Sequence, residues 1–304
     1  MIDATVIALR GVQYAAAVVA LGLPLFLIYA RGSSAAHRIT ALAAMACGWL
    51  AAAALAAVSV QTAMMAGGWA AALDPTALSY VAQSTGLGRA NIARAVLAIV
   101  GAALLIAVRK TARERPARLW PAVAALSAAI ASFAWSGHGA ATEGVAGLAH
   151  VISDAAHAVA AAVWLGALGG FLLILSRSEK AELDIAARAL VRFATIGTAT
   201  VIVLVVTGLI NTAILVGVDG LSDLVISTWG QLLIVKLVLF LVMLGLAAHN
   251  RFALTPALSR AEDTAARDLA AGRLRRSVGL EALAGMALLG MVAALGVQMP
   301  PGSM

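Results

Sequence analysis

Long apolar stretches alternate with short polar segments along the chain. Eight of these stretches run for about 18 or more residues with almost no charge, which is long enough for a helix to cross the hydrocarbon core of a bilayer. A spanning segment must satisfy its own backbone hydrogen bonds, so each stretch predicts a transmembrane helix. The predicted spans are Val6–Ala30, Thr40–Ala66, Asn91–Val108, Leu119–Trp135, Leu148–Leu175, Phe193–Val216, Trp229–His249 and Val278–Val297. The pattern therefore predicts an all-α fold, a polytopic membrane helix bundle in which residues 1–304 form a single domain.

Two of the polar segments predict helices of their own. Asp74-Pro75 in the second loop is a helix-starting pair, an N-cap followed by proline at the first helical position, and the helix should end near Ser84. The seventh loop, Ser259–Ser277, has mixed charge and predicts a helix that runs into the last span.

The basic residues predict how the bundle is oriented. Most of the 21 lysine and arginine residues fall in the first, third, fifth and seventh loops. Cytoplasmic loops carry an excess of such residues, so these four loops are expected in the cytoplasm. Both termini and the even-numbered loops are then expected on the outer, periplasmic side of a bacterial inner membrane.

Composition narrows the class of protein. Hydrophobic residues make up 62% of the chain and charged residues 12%, which is too little charge to cover the surface of a soluble domain. The net charge of +7 lies in topology-setting loops that meet lipid headgroups, so no nucleic-acid partner is expected. The one cysteine, Cys47, excludes a disulfide framework. No nucleotide-binding loop or hydrolase motif is present, so the chain is not expected to be an enzyme.

Polar residues inside the predicted spans are the candidates for function, because their burial in lipid is costly. His138 follows the fourth span, and His150, Asp154 and His157 begin the fifth on one helix face. The two histidines of the fifth span are separated by about 10 Å of helix rise, so they predict two sites, or one site and a relay. Imidazole binds copper and zinc well, and a carboxylate can orient it. Alternatively, these side chains only join helices by hydrogen bonds.

Further polar and sulfur-containing side chains extend this picture. Met64 and Met65 end the second span, and thioethers are ligands that favour Cu(I), although methionine in a membrane helix is more often filler. Lys236 in the seventh span either neutralises Asp154 or extends outward to the headgroups. Glu281 in the last span either pairs with Arg275 or Arg276, or belongs to an inner exit site.

The second half of the chain resembles a known family over residues 192–297. The matching stretches read T-G-L-x-N, G-x-L-L-x-x-K, H-N-R-F and R-R-S-x-x-x-E, and upstream S-G-H-G, D-x-x-H and A-x-x-W-L-G-A-L are similar to the preceding helices. These stretches resemble the bacterial copper resistance protein D (CopD) family. The residues of this chain that match are His138, His150, His157, Asn211, Lys236, Asn250, Arg251 and Glu281.

The resemblance implies copper handling at the cytoplasmic membrane. Members of the family are thought to move copper inward, often beside a periplasmic copper carrier of the CopC type. The leading hypothesis is therefore a copper ion transporter that takes up copper through His138, His150 and His157, with Asp154 orienting an imidazole. Two rivals are a haem-binding membrane cytochrome, with His138 or His150 paired with His157, and a non-transporting scaffold or sensor that binds a periplasmic partner.

Overall fold

The chain is helical throughout the part that the structure describes. The structure is a computed structural model, and it describes residues 2–136, 144–177, 179–217, 222 and 224–298. The α-helices within these residues are α1 (Ile2–Tyr29), α2 (Ala36–Met65), α3 (Pro75–Ser84), α4 (Gly86–Val108), α5 (Trp120–Ala131), α6 (Gly144–Leu175), α7 (Lys180–Val216), α8 (Thr228–His249), α9 (Thr255–Arg260) and α10 (Thr264–Leu295). Eight helical segments of this described part are long and apolar enough to cross a membrane. The predicted all-α membrane bundle is confirmed.

Both predicted loop helices are present, and each begins after a residue whose side chain caps it. The carboxylate of Asp74 accepts a hydrogen bond from the Ala77 amide at 2.7 Å, and α3 then ends at Ser84. Asp263 caps α10 in the same way through the Ala266 amide at 2.6 Å. The helix of the seventh loop and the last span are thus one continuous helix.

Helix α7 is longer than the pattern of charge predicts. The predicted span begins at Phe193, whereas the helix begins at Lys180. The additional turns bury Leu183 and Ala186. They also bury Glu182, whose carboxylate accepts hydrogen bonds from the Ser33 hydroxyl at 2.7 Å and from the backbone amide of Ser34 at 2.6 Å. These contacts stabilise helix where the sequence is rich in charge.

Helices α1 and α6 cross at two glycines. A Cβ atom at Gly166 would meet the backbone of Gly22 and of Val18, and a Cβ atom at Gly22 would meet the backbone of α6. One turn further along, Gly170 lies directly against the ring of Phe26. Small residues permit such close helix packing in membranes. Helix α1 packs on α2 as well as on α6, and α6 packs in turn on α7 and α10.

A buried arginine joins three spans of the first half. The guanidinium of Arg94 is 1% exposed and lies 3.7 Å from the ring centroid of Phe133. It donates hydrogen bonds to Gln13 of α1 at 2.6 Å, and to Ser132 at 3.1 Å and Ser136 at 2.9 Å at the end of the fourth span. It also donates to Asn91 of its own helix. The charge is therefore surrounded by neutral acceptors that hold α1, α4 and the fourth span together.

The two ends of the bundle are each marked by a contact between loops or helix ends. At one end, Arg10 of α1 donates hydrogen bonds to the carbonyl groups of Ser136 and Gly296. At the other end, Glu182 binds the α1–α2 loop, and Arg113 donates to Gly32 of that loop at 3.2 Å. We call these the Arg10 end and the Glu182 end. The beginning of α1 and the end of α10 thus share one end, as an even number of spans requires.

The glycine crossing predicts a specific sensitivity to one added methyl group. Gly166→Ala should lower the free energy of unfolding by about 1–3 kcal/mol, because the new Cβ meets backbone that cannot rotate away. Thermal unfolding of the detergent-solubilised protein measures this. The matched control is Gly48→Ala, since a Cβ atom at Gly48 of α2 has no neighbour within 4 Å. Equal melting temperatures for the two variants would contradict the crossing.

Candidate metal-binding site

Helix α6 brings three of the predicted site residues to one face near the Arg10 end. His150, Asp154 and His157 follow one another at spacings of four and three residues in a continuous helix, and such positions are neighbours on a helix surface. His150 is fully buried, whereas Asp154 and His157 are partly exposed. His138, the fourth predicted ligand, lies outside the described residues.

Asp154 is held between helices α6, α7 and α8. Its Oδ1 accepts a hydrogen bond from the Nδ2 group of Asn211 in α7 at 2.6 Å. Its Oδ2 lies 3.9 Å from Nε2 of His150, a separation beyond ordinary hydrogen-bond length. Lys236 of α8 lies near enough for its charge to act on the same carboxylate, and its neutralising role stays one of the two predictions made for it. One carboxylate oxygen therefore faces an imidazole while the other is fixed by an amide.

His157 is oriented by a hydroxyl group of α7. Its Nδ1 lies 2.9 Å from Oγ1 of Thr207, and that hydroxyl is 2.6 Å from the carbonyl of Val203. The single hydroxyl proton is used in the bond to the carbonyl, so Oγ1 must accept a hydrogen bond from Nδ1–H. The lone pair of His157 then resides on Nε2. Such a fixed tautomer is what a histidine ligand to a metal requires.

The two histidines are positioned to act separately. Because α6 is continuous, they remain about 10 Å apart along the helix axis, and one ion cannot bind both. Among the described residues, no group of three histidine, cysteine, aspartate or glutamate side chains is close enough to hold a metal ion. The arrangement fits two successive positions for an ion, with Asp154 beside the first.

The two methionines of the predicted site lie elsewhere. Met64 and Met65 are 42% and 53% exposed at the end of α2. Met64 lines a cavity of about 260 Å³ that also contains Arg10, Asn91 and Arg94. This cavity belongs to the α1–α2–α4 side of the bundle, so a role for these thioethers as copper ligands stays a prediction.

Two residues near α6 have partners that the sequence did not predict. One is Thr207, which the T-G-L-x-N stretch places one turn before Asn211 on the same face. The other is Glu281, which does not pair with Arg275 or Arg276, both exposed; that alternative was wrong, and an inner exit site stays a prediction. The Glu281 carboxylate instead accepts hydrogen bonds from Nε1 of Trp164 at 2.7 Å and Nδ2 of Asn250 at 2.9 Å.

The chain matches known proteins over most of its length. Residues 1–148 match the family model described as copper resistance protein D-like, N-terminal domain, and residues 187–295 match the model described as copper resistance protein D. Over 220 residues the chain is 38% identical to copper resistance protein D of Pseudomonas syringae pv. tomato, covering 71% of this chain and 69% of that protein. The chain belongs to the copper resistance protein D family.

A second relative of this CopD-family chain is the inner membrane protein YebZ of Escherichia coli (strain K12). The two are 30% identical over 231 residues, which is 76% of each. No solved structure matches the chain. Between the two matched regions lie residues 149–186 of the CopD-family chain, which carry His150, Asp154 and His157, whereas Thr207 and Asn211 lie inside the second region.

The hydrogen bond to Thr207 predicts the tautomer of one histidine. With ¹⁵N-labelled histidine, solid-state NMR should show His157 protonated on Nδ1 and unprotonated on Nε2. Thr207→Val should lower the ratio of the Nδ1-protonated to the Nε2-protonated form by about fivefold, because a hydrogen bond contributes about 1 kcal/mol. Thr212→Val is the matched control, because its hydroxyl bonds only the Gly208 carbonyl. An Nε2-protonated His157 in the unmodified protein would contradict the assignment.

Proposed function

We propose that this protein binds copper at the Arg10 end of the bundle and carries it across the bacterial inner membrane, from periplasm to cytoplasm. The single observation that supports this most is the face formed by His150, Asp154 and His157, with its polar partners on α7. Copper is the transported ion here, and we assign the chain no catalytic activity.

The chemistry of this face suits copper. Divalent copper binds a given site of nitrogen and oxygen ligands more tightly than the other divalent first-row metals do. His157 offers Nε2 because Thr207 occupies its other nitrogen. Asp154 is fixed by Asn211, so its second oxygen can balance the charge of an ion at His150. His138 is the additional ligand that we expect for that ion.

The loop charges support the proposed location and orientation. The first and third loops, which are both basic, meet at the Glu182 end, where Arg113 donates a hydrogen bond to Gly32, and loops rich in lysine and arginine are expected in the cytoplasm. The Arg10 end, with both termini, then faces the periplasm. The names of the two relatives, which concern copper resistance and the inner membrane, agree with this placement. A CopC-type carrier would deliver copper at the Arg10 end.

The cytochrome hypothesis is disfavoured by the shape of α6. Axial ligands of one haem lie on opposite faces of its iron, whereas His150 and His157 project from one face of a continuous helix, about 10 Å apart. These two residues therefore cannot ligate the same iron. Of the two histidine pairs considered, only His138 with His157 remains.

Removal of either imidazole tests the proposal. We expect His150→Ala and His157→Ala each to reduce copper accumulation in cells by about tenfold, and Asp154→Asn to weaken copper binding by about 10- to 100-fold. Accumulation is measured by elemental analysis of cells that contain equal amounts of inserted protein. His37→Ala is the matched control, because His37 is exposed in the first turn of α2.

Purified protein separates the rival functions. Copper flux into proteoliposomes is expected for the unmodified chain, together with bound copper and no Soret band. Intact copper binding without flux would support the scaffold hypothesis instead. A strong Soret band that is lost in the histidine variants would support the cytochrome.

A further inference from the structure

A second buried polar cluster lies further towards the Glu182 end, and the proposed copper site does not use it. Glu281 of α10 is 1% exposed, and each of its carboxylate oxygens accepts one hydrogen bond. The donors are Trp164 of α6 and Asn250 at the end of α8, which are 4% and 6% exposed. Three helices therefore meet at one carboxyl group.

No basic side chain of the described residues forms an ion pair with this carboxyl group. Within the described residues, the ion pairs join His150 with Asp154 and Arg267 with Asp184. A buried carboxylate that has only neutral donors is costly in a membrane, and uptake of a proton removes that cost.

The ionisable groups on the helices packed against α10 form hydrogen bonds with other residues, are exposed, or lie at the other end of the bundle. Arg251, which lies near this cluster, is exposed. It donates hydrogen bonds to the hydroxyl of Thr198 in α7 at 2.7 Å and to the carbonyl of Ala194 at 3.3 Å. Exposed groups near this end are His249 of α8, Arg260 of α9, and Arg275 and Arg276 of α10. Tyr29, which ends α1, packs among the rings of Phe26, Phe171 and Phe193. The other ionisable groups of α1, α6 and α8 lie towards the Arg10 end and are Asp3, Arg10, Tyr14, His150, Asp154, His157 and Lys236.

The neighbours of Glu281 can satisfy it in both protonation states. Trp164 donates a hydrogen bond to either form. As placed, the amide of Asn250 donates through Nδ2 and leaves Oδ1 buried without a hydrogen-bond partner among the described residues. A half-turn of that amide would present Oδ1, which can accept a hydrogen bond from the O–H of the protonated carboxyl group. The hydroxyl of Ser277, one helical turn away, is also buried without such a partner.

The backbone at Asn250 is irregular. A π-helical turn, Asn250–Leu254, follows α8, and Oγ1 of Thr255 donates to the Asn250 carbonyl at 2.8 Å. Such turns inside helices are rare and occur often at functional sites. Here the turn carries Asn250 inward to Glu281 while Arg251 and Phe252 remain exposed.

A cavity connects this cluster to the surface. Helix α7 packs mainly on α6 and helix α8 mainly on α10, and a cavity of about 600 Å³ lies between α7 and α8. Glu281, Asn250 and Trp164 line it, as do the exposed residues Arg251 and Ser259. This cavity offers a route by which a proton from water at its exposed end would reach the carboxyl group.

The cluster around Glu281 and the two histidines lie at different depths along α6. Trp164 follows His157 by seven residues, about 10 Å along α6. The ring of Phe240 packs edge-on against Trp164 with a centroid distance of 5.8 Å. The histidine side offers nitrogen ligands, whereas the Glu281 side offers carboxyl and amide oxygens, which suit protons and hard cations better than copper.

We propose that Glu281, held by Trp164 and Asn250, is a proton-binding site that couples proton movement to copper passage. One proton from water in the cavity adds to a carboxylate oxygen and later returns to water, and no bond other than O–H forms or breaks. The coupling rests on the proposed copper transport, whereas the binding of a proton by Glu281 does not.

Infrared difference spectroscopy between two pH values tests the proton site without copper. The unmodified protein in liposomes should show the C=O stretching band of a buried carboxylic acid that titrates with pH. Glu281→Gln should remove this band, Trp164→Phe should shift it through the lost hydrogen bond, and Glu262→Gln, at an exposed position, should leave it unchanged. A band that persists in Glu281→Gln, no titrating band at all, or a titration that follows sodium rather than pH would overturn the proposal.

Proteoliposomes with a trapped pH indicator test the coupling. In the unmodified protein, copper flux should move protons and should respond to an imposed pH gradient. Glu281→Gln should retain copper binding at the histidines. Its rate of proton movement should be lower than that of the unmodified protein by about tenfold or more, as expected when one essential ionisable group is removed. An unchanged response to the gradient in this variant would overturn the coupling. Absent copper flux in the unmodified protein, with the infrared band still titrating, would instead refute the transport function.

Discussion

The close crossing of α1 and α6 at Gly22 and Gly166 holds the two halves of this bundle together. Helix α1 belongs to the first matched region, and most of α6 lies between the two regions. In a membrane there is little hydrophobic force between helices, so direct backbone contact and interhelical hydrogen bonds supply the association. Since α6 also carries His150, Asp154, His157 and Trp164, the depth and rotation of these four side chains depend on this crossing.

Around that fixed helix the two polar clusters are built in different ways. The cluster at the Arg10 end uses α7, whose Thr207 and Asn211 orient an imidazole and a carboxylate. The cluster around Glu281 uses α8 and α10, which separate from α7 and leave a cavity. Helix α6 is common to both, so the proposed copper ligands and the proposed proton site are connected through a single rigid element.

Features that depend on one helix alone could be predicted from the sequence. The apolar stretches determine the spans because backbone in lipid must bond to itself, and helical periodicity places His150, Asp154 and His157 on one face. Contacts between helices could not be predicted, because Thr207 and Trp164 meet partners 50 and 117 residues away. Glu281 was paired with Arg275 or Arg276 by proximity in sequence, yet residues five or six apart do not share a helix face.

The length of α7 has a mechanical consequence. At 37 residues it is about 55 Å long, against about 30 Å of hydrocarbon, so part of it extends into water. Glu182, near the first residue of α7, forms a hydrogen bond with the α1–α2 loop, and Asn211, near the last, forms one with Asp154. Because α7 is continuous between these two contacts, it fixes the distance between the α1–α2 loop at Ser33 and the carboxylate beside His150.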